Sequence, residues 1–162
     1  MDVAARYGCR DGQVCRLDVS GSNHPVAAAR AFAESVLALW GAGGVEREDI
    51  VLVVSELVAN ARLHAGLPRR LSLSRRDGIV RIEVTDPSPT RPVRRPATPD
   101  RPGGYGLLVV DRLSTRWGTD IGPCGKSVWA ECPLRCYRPE PGSTTQSHRR
   151  LARGRFEPGA SG

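Results

Sequence analysis

Aromatic residues are scarce in this chain of 162 residues: two Phe, three Tyr and three Trp make up 5% of it. That scarcity weighs against a surface built to stack nucleic-acid bases, even though the formal charge is +7 and the pI is near 9.8. Many of the arginines fall at Arg69-Arg70, Arg75-Arg76, residues 91–101 and residues 149–155. These read as loops, turns and a tail with almost no aromatics interleaved, which is general electrostatics and not a base-stacking surface. Long hydrophobic runs are missing too. None approaches the roughly 20 residues of a membrane-spanning helix, and the N-terminal MDVAARYGCRDG has no hydrophobic signal core, so the expected location is the cytoplasm. Cysteine pairs of the CxxC type are also absent. Five cysteines, an odd number, argue against a disulfide framework and a zinc knuckle, and predict reduced, mostly structural thiols.

What is present is ordinary globular material, 40% hydrophobic and 25% charged, enough for one domain with one core. Residues 15–20 alternate, with Cys15, Leu17 and Val19 on one side, and predict a half-buried first strand. After the turn Gly21-Ser22-Asn23, Pro25 suits the first turn of a helix running to Trp40, with Val26, Ala29, Ala33, Val36, Leu37 and Trp40 on its apolar face. Gly41-Ala42-Gly43-Gly44 ends it.

The chain is organised around residues 49–65, DIVLVVSELVANARLHA. Ile50, Val54, Leu57 and Ala61 recur at helical spacing. Glu56, Asn60 and His64 sit four apart, each about 40° round and roughly 6 Å along the axis from the last, so they share a face. A carboxylate, an amide and an imidazole in line on an otherwise apolar helix form either a solvated edge or one wall of a ligand site.

Asp77-Gly78 predicts a two-residue hairpin turn between strands 71–76 and 79–86. In that register Leu73 opposes Ile82 and Leu71 opposes Val84 on one face, while Ser74 opposes Arg81 and Ser72 opposes Glu83 on the other. The sheet then has one apolar face, and helices should cover that side alone. Asp86 continues the inward row Val80, Ile82, Val84, so its carboxylate points toward the helix layer and needs donors there. The alternative is an Asp capping its own turn in Asp86-Pro87-Ser88-Pro89.

Residues 90–102 carry four prolines at no regular period and read as a loop, either a lid or a plain irregular connection. Gly103-Gly104-Tyr105-Gly106 leads into a helix from about residue 107 to 114, where backbone N–H groups and the helix dipole can meet an anion. A short strand over 116–120, a turn over 121–125 and a last strand follow. In that strand Val128, Ala130, Cys132 and Leu134 face in and Ser127, Trp129 and Glu131 face out. Trp129 is either a partner contact or an ordinary exposed aromatic. From Arg138 onward little can be buried, which predicts a disordered basic tail over 138–162. The expected layout is an N-terminal extension over 1–14 and one domain over 15–137. Its fold is a two-layer α/β sandwich with a mostly antiparallel sheet and helices on one face.

Three boxes in order, and a closing motif, carry a resemblance. VVSELVANARLHA resembles the N-box of the GHKL ATPases, the gyrase, heat-shock chaperone, histidine kinase and mismatch-repair types, and within them the small bacterial branch of anti-sigma-factor serine kinases. Asp86 to Pro89 looks like its G1 box, Gly103-Gly104-Tyr105-Gly106 its G2 box, and Gly125-Lys126-Ser127-Val128-Trp129 the closing GK-x-VW motif. The likeness covers roughly residues 23–134 and implies a Bergerat-type ATP-binding fold. It implies Glu56 as base or water-positioner and Asn60 as the Mg²⁺ residue. It further implies Asp86 as acceptor from the adenine amine, with Gly103, Gly104 and Gly106 at the phosphates and Lys126 among the nucleotide-binding residues.

The implied cofactors are ATP and Mg²⁺. The implied activity is serine/threonine phosphorylation of an antagonist protein with sequestration of a sigma-type factor, and a homodimer is allowed. Three departures bear on it. DPSP replaces the glycine-bearing DxGxG of the wider superfamily, Tyr105 stands where relatives often carry Arg, and Arg62-Leu63 replaces an apolar residue followed by Arg. The last two favour an alternative, a nucleotide-responsive binding protein without useful kinase activity.

Overall fold

A computed structural model describes residues 3–7, 9, 14–90 and 105–134. In chain order the elements are α1 (Val3–Arg6), β1 (Val14–Asp18), α2 (Pro25–Leu39), α3 (Gly44–Ala65), β2 (Arg70–Arg76), β3 (Ile79–Asp86), α4 (Gly106–Leu113), β4 (Arg116–Gly122) and β5 (Gly125–Pro133). The five strands form one antiparallel sheet in the order β1-β2-β3-β5-β4. Helices pack against one face of it, which is the expected two-layer α/β sandwich.

The β2–β3 hairpin has the register that its alternation predicts, Leu73 opposite Ile82 and Leu71 opposite Val84. Asp77 and Gly78 both take positive φ, 50° and 75°, the backbone a type I′ turn demands. Leu71, Leu73, Val80, Ile82, Val84, Val128, Ala130 and Cys132 are all buried, and α3 lies across the central pair β3 and β5, flanked by α2 and α4. α3 is buried along Ile50, Val51, Val53, Val54, Leu57, Val58 and Ala61. Ser55 is buried among them: its hydroxyl donates to Val51 O at 2.8 Å and accepts from Arg30 Nη1 of α2 at 3.1 Å. A hydroxyl in a helix interior is thus satisfied on both sides, one bond tying two helices together.

Two element ends differ from the pattern. α3 begins at Gly44, five residues before the apolar period starts, because Gly43 in an extended conformation turns the chain and lets Glu46 occupy the first helical turn, where the dipole favours a carboxylate. β4 runs on to Gly122, since Asp120 and Ile121 still pair with Ser127 and Lys126.

The cysteine reading needs correction. Cys9 and Cys15 form a disulfide, where free thiols are expected from an odd count without a CxxC pair. A spacing of six residues brings them together because residues 3–7 fold back onto the domain. Tyr7 O accepts from Arg16 N at 3.0 Å, and the Tyr7 ring is buried edge-on against Phe32, centroids 4.8 Å apart. The N-terminal residues therefore contribute to the core. Among the described residues Cys124 is an exposed free thiol and Cys132 a buried one. Burial, and to a lesser extent the Asp49 charge, push the Cys132 thiol up to about 12, so it holds almost no thiolate at neutral pH.

The open face of the sheet is polar and its charged groups are paired, while Trp129 Nε1 is buried without a hydrogen-bond partner among the described residues. Arg81 stacks on the Trp129 ring, 4.1 Å from its centroid, and donates to Glu131 Oε1 at 2.9 Å. Glu131 also accepts from Arg116 Nε at 2.5 Å. The Arg116 bond first, then Arg81, holds the Glu131 carboxyl below the usual range against its partial burial. Trp129 is therefore covered by its own chain.

With a thiol-alkylating reagent at neutral pH the folded protein should label at Cys124 and not at Cys132, which becomes reactive only on unfolding; peptide mass mapping reads both. Labelling of the two at equal rates would contradict the burial.

Candidate active site

The polar stripe of α3 lies where α3 and β3 meet α4, and one glycine determines how closely. A Cβ on Gly106 would stand 2.7 Å from Glu56 Oε2, 3.1 Å from Asn60 Nδ2 and 3.3 Å from Asn60 Oδ1. Only a residue without a side chain lets the first turn of α4 sit this near both functional groups. The stripe is thus half covered by a helix N-terminus and is not a solvated edge, whereas His64, one turn further on, is exposed. Asn60 Nδ2 is buried without a hydrogen-bond partner. Amide nitrogen and oxygen exchange places by a flip, so the observation is that one end of this amide lacks a partner inside the protein.

Asp86, at the end of β3, is 2% exposed. Its Oδ1 accepts from Lys126 Nζ at 2.9 Å and from Ser88 N at 2.9 Å. Both readings of its sequence therefore hold: it points inward, and it caps its own turn. Oδ2 is buried and accepts from nothing among the described residues. A buried charge needs a counter-charge and filled lone pairs. Lys126, 6% exposed and directly opposite Asp86 across β3 and β5, supplies the first, and Oδ2 awaits the second.

Asn60, His64, Asp86 and Lys126 line one small cavity, closed on its apolar sides by Leu57, Ala61, Leu107 and Val128. Its volume is about 10 Å³, on the order of room for one water, so the walls must part to admit anything larger. A much larger cavity, about 620 Å³, lies over the row Asp18, Arg70, Thr85, Ser127 and Asp120 that crosses the open sheet face. Volume alone would favour it. Asp86 and Lys126 border both cavities; the buried, unpartnered amide of Asn60 lines the small one alone and favours it, because an unsatisfied buried group costs free energy that a ligand would recover.

Of the site residues expected from sequence, Glu56, Asn60, Asp86, Gly106 and Lys126 gather around α3, β3, β5 and the start of α4. Gly103 and Gly104 fall outside the described residues, as do the lid over 90–102 beyond Thr90 and the tail over 138–162. Two features were not anticipated: the bond between Lys126 and Asp86, and the contact of Gly106 with Glu56 and Asn60. The first had a signal in the alternation. The inward row Val128, Ala130, Cys132 extends backward to Lys126 just as the row Val80, Ile82, Val84 extends forward to Asp86.

Residues 19–131 match the histidine kinase-like ATPase domain family, well over half of the chain, and the chain belongs to that family. No curated protein matches it. Among solved structures it is similar to the RsbU and RsbW domains of Rv1364c from Mycobacterium tuberculosis, with 20% identity and a TM-score of 0.57 over 75% of this chain and 32% of that one. It therefore spans about a third of that relative. It is also similar to a chain of the SiaB-SiaC complex from Pseudomonas aeruginosa, with 14% identity and a TM-score of 0.57 over 80% of this chain and 95% of that one. At these identities the likeness is one of fold.

Membership makes ATP the expected occupant, and the donor set fits it. A carboxylate oxygen without a donor suits an exocyclic amine. Asn60 offers an amide oxygen to a hard cation such as Mg²⁺, which is commonly held by one or two protein oxygens with phosphate and water supplying the rest. No helix of the described residues is long and apolar enough to cross a membrane.

Gly106→Ala tests the cradle. Its new methyl would displace the end of a flexible Glu56 side chain, so stability should change by no more than about 1 kcal/mol. ATP affinity, read by calorimetric titration, should fall several-fold. Unchanged affinity would mean that the close approach of α4 serves packing only.

Proposed function

We propose that this protein is an ATP-dependent serine/threonine protein kinase of the anti-sigma regulatory type. It acts in the cytoplasm, phosphorylating an antagonist protein and sequestering a sigma-type factor. The observation that carries this reading is the placement of Glu56 and Asn60 together against Gly106, beside the buried Asp86 with its open oxygen. The family membership supports the nucleotide, and the RsbW and SiaB-SiaC likenesses support a protein partner.

Bound ATP would supply the transferable phosphoryl group and Mg²⁺ the counter-charge to the phosphates. Asp86 Oδ2 receives the exocyclic amine of the base and fixes the nucleotide's direction in the cleft. Asn60 would hold the metal through its amide oxygen, and the N-terminus of α4 at Gly106 would present backbone N–H groups to phosphate oxygens. Glu56, one turn before Asn60 on the same face, orients the attacking hydroxyl of the substrate protein and takes its proton. Phosphoryl transfer asks little more of a protein than this positioning and charge stabilisation.

One observation favours a second reading, a nucleotide-responsive regulator that binds its partner without useful transfer. Lys126 is the one cation lining the cavity among the described residues, and it is already bonded to Asp86. Tyr105, at the start of α4 and 55% exposed, brings no charge to the phosphates.

Glu56→Gln separates the two. It keeps the shape and removes the basicity, so Mg-ATP affinity should stay near wild type while transfer to the antagonist falls by on the order of 10² or more. The measurement is incubation with labelled ATP and candidate antagonists. Saturable ATP binding by wild type with no transfer to any antagonist would establish the second reading instead. Equal transfer by wild type and variant would remove Glu56 from the chemistry.

A further inference from the structure

Lys126 is buried to a degree unusual for lysine, with 4% of its side chain exposed. An ammonium so placed must find acceptors for its three N–H groups. The described residues supply two: Asp86 Oδ1 at 2.9 Å and Ser88 O at 3.4 Å. One donor remains, on a side chain that lines the same small cavity as Asp86 and Asn60. Asp86 Oδ2, which has no donor, belongs to the other half of this ion pair. The rung therefore presents one unused acceptor and one unused donor, and among the described residues neither is satisfied.

That is the complement of a purine edge carrying a donor next to an acceptor. Adenine has this arrangement at its exocyclic amine and N1. We propose that Lys126 is a specificity-determining residue that donates to adenine N1 while Asp86 accepts from the adjacent amine, so that base recognition belongs to the pair. This rests on the reading of the cavity as the adenine site. Guanine in the same pose places a carbonyl oxygen against the carboxylate and an N–H against the ammonium, two mismatches where the carboxylate alone would register one. Reversing the order, so that the carbonyl meets Lys126, requires the base to turn over and carries the ribose away from Asn60. The competing explanation is that Lys126 only neutralises Asp86, as a buried partner must. That role is blind to N1.

The analogue 1-deaza-ATP, in which CH replaces N1 and the amine is kept, distinguishes them. In calorimetric titration of the wild-type chain it should bind on the order of 10- to 100-fold more weakly than ATP, the scale for a buried hydrogen bond from a charged donor. In Lys126→Met the two nucleotides should bind alike, both more weakly than ATP binds wild type. Should the unpaired Asp86 charge prevent that variant from folding, the neutral Asp86→Asn/Lys126→Met pair permits the same comparison.

Equal affinity of wild type for ATP and 1-deaza-ATP would overturn the assignment, and so would a preference that persists in the variants. If wild type binds no ATP at all, the nucleotide reading falls and this one falls with it. If ATP binds and N1 is irrelevant, only this one falls.

Discussion

A carboxylate held out of water at the end of the central strand is the constraint on which the rest of this molecule turns. Asp86 is held there by Lys126, which stands opposite it on β5, and by the Ser88 amide, which folds back to it. Removing either charge from such a pair typically costs about 3–5 kcal/mol, whereas replacing both by apolar groups is often neutral. The pair is thus an expensive way to build a sheet. It leaves one carboxylate oxygen buried and unfilled, beside an amide on α3 in the same condition. Both groups line one small cavity; a ligand filling it would account for them together, and the surrounding fold supplies the walls.

Those walls follow from one asymmetry. Alternation along β2, β3 and β5 makes one sheet face apolar, so the helices gather on that side and bring the α3 stripe down beside Asp86. The other face carries Arg81, Glu83, Trp129 and Glu131, whose charged groups pair with one another while Arg81 stacks on the Trp129 ring. Trp129 Nε1 is buried there without a hydrogen-bond partner among the described residues. The basic charge has the same local character where it is described. Arg75 reaches Trp40 O at 2.9 Å and Arg47 Nε reaches Glu34 at 2.7 Å, each serving packing between neighbouring elements.

Much of this was legible in the residues. The hairpin register, the inward Asp86, the order of strands and helices and the gathering of Glu56 and Asn60 on one helix face all follow from periods of two and 3.6, which are local properties. What was not legible depends on pairs distant in sequence. Lys126 lies forty residues after Asp86, and only strand pairing makes them neighbours. Gly106 reads as a turn glycine until α4 is packed against α3. The disulfide of Cys9 with Cys15 depends on the N-terminal residues folding back so that Tyr7 meets Phe32. No composition rule captures that, and the count of five cysteines pointed the other way.

The central claim is that Asp86 reads the base, and it is most directly tested by titrating wild type and Asp86→Asn with ATP and with GTP in the presence of Mg²⁺. Wild type should prefer ATP by at least on the order of tenfold, because the guanine carbonyl would face a carboxylate acceptor unpaired. Asn at this position offers a donor to that carbonyl, so the variant should bind ATP more weakly and its preference should narrow. A variant that discriminates between ATP and GTP as well as wild type does would contradict the account and leave Asp86 as a turn residue.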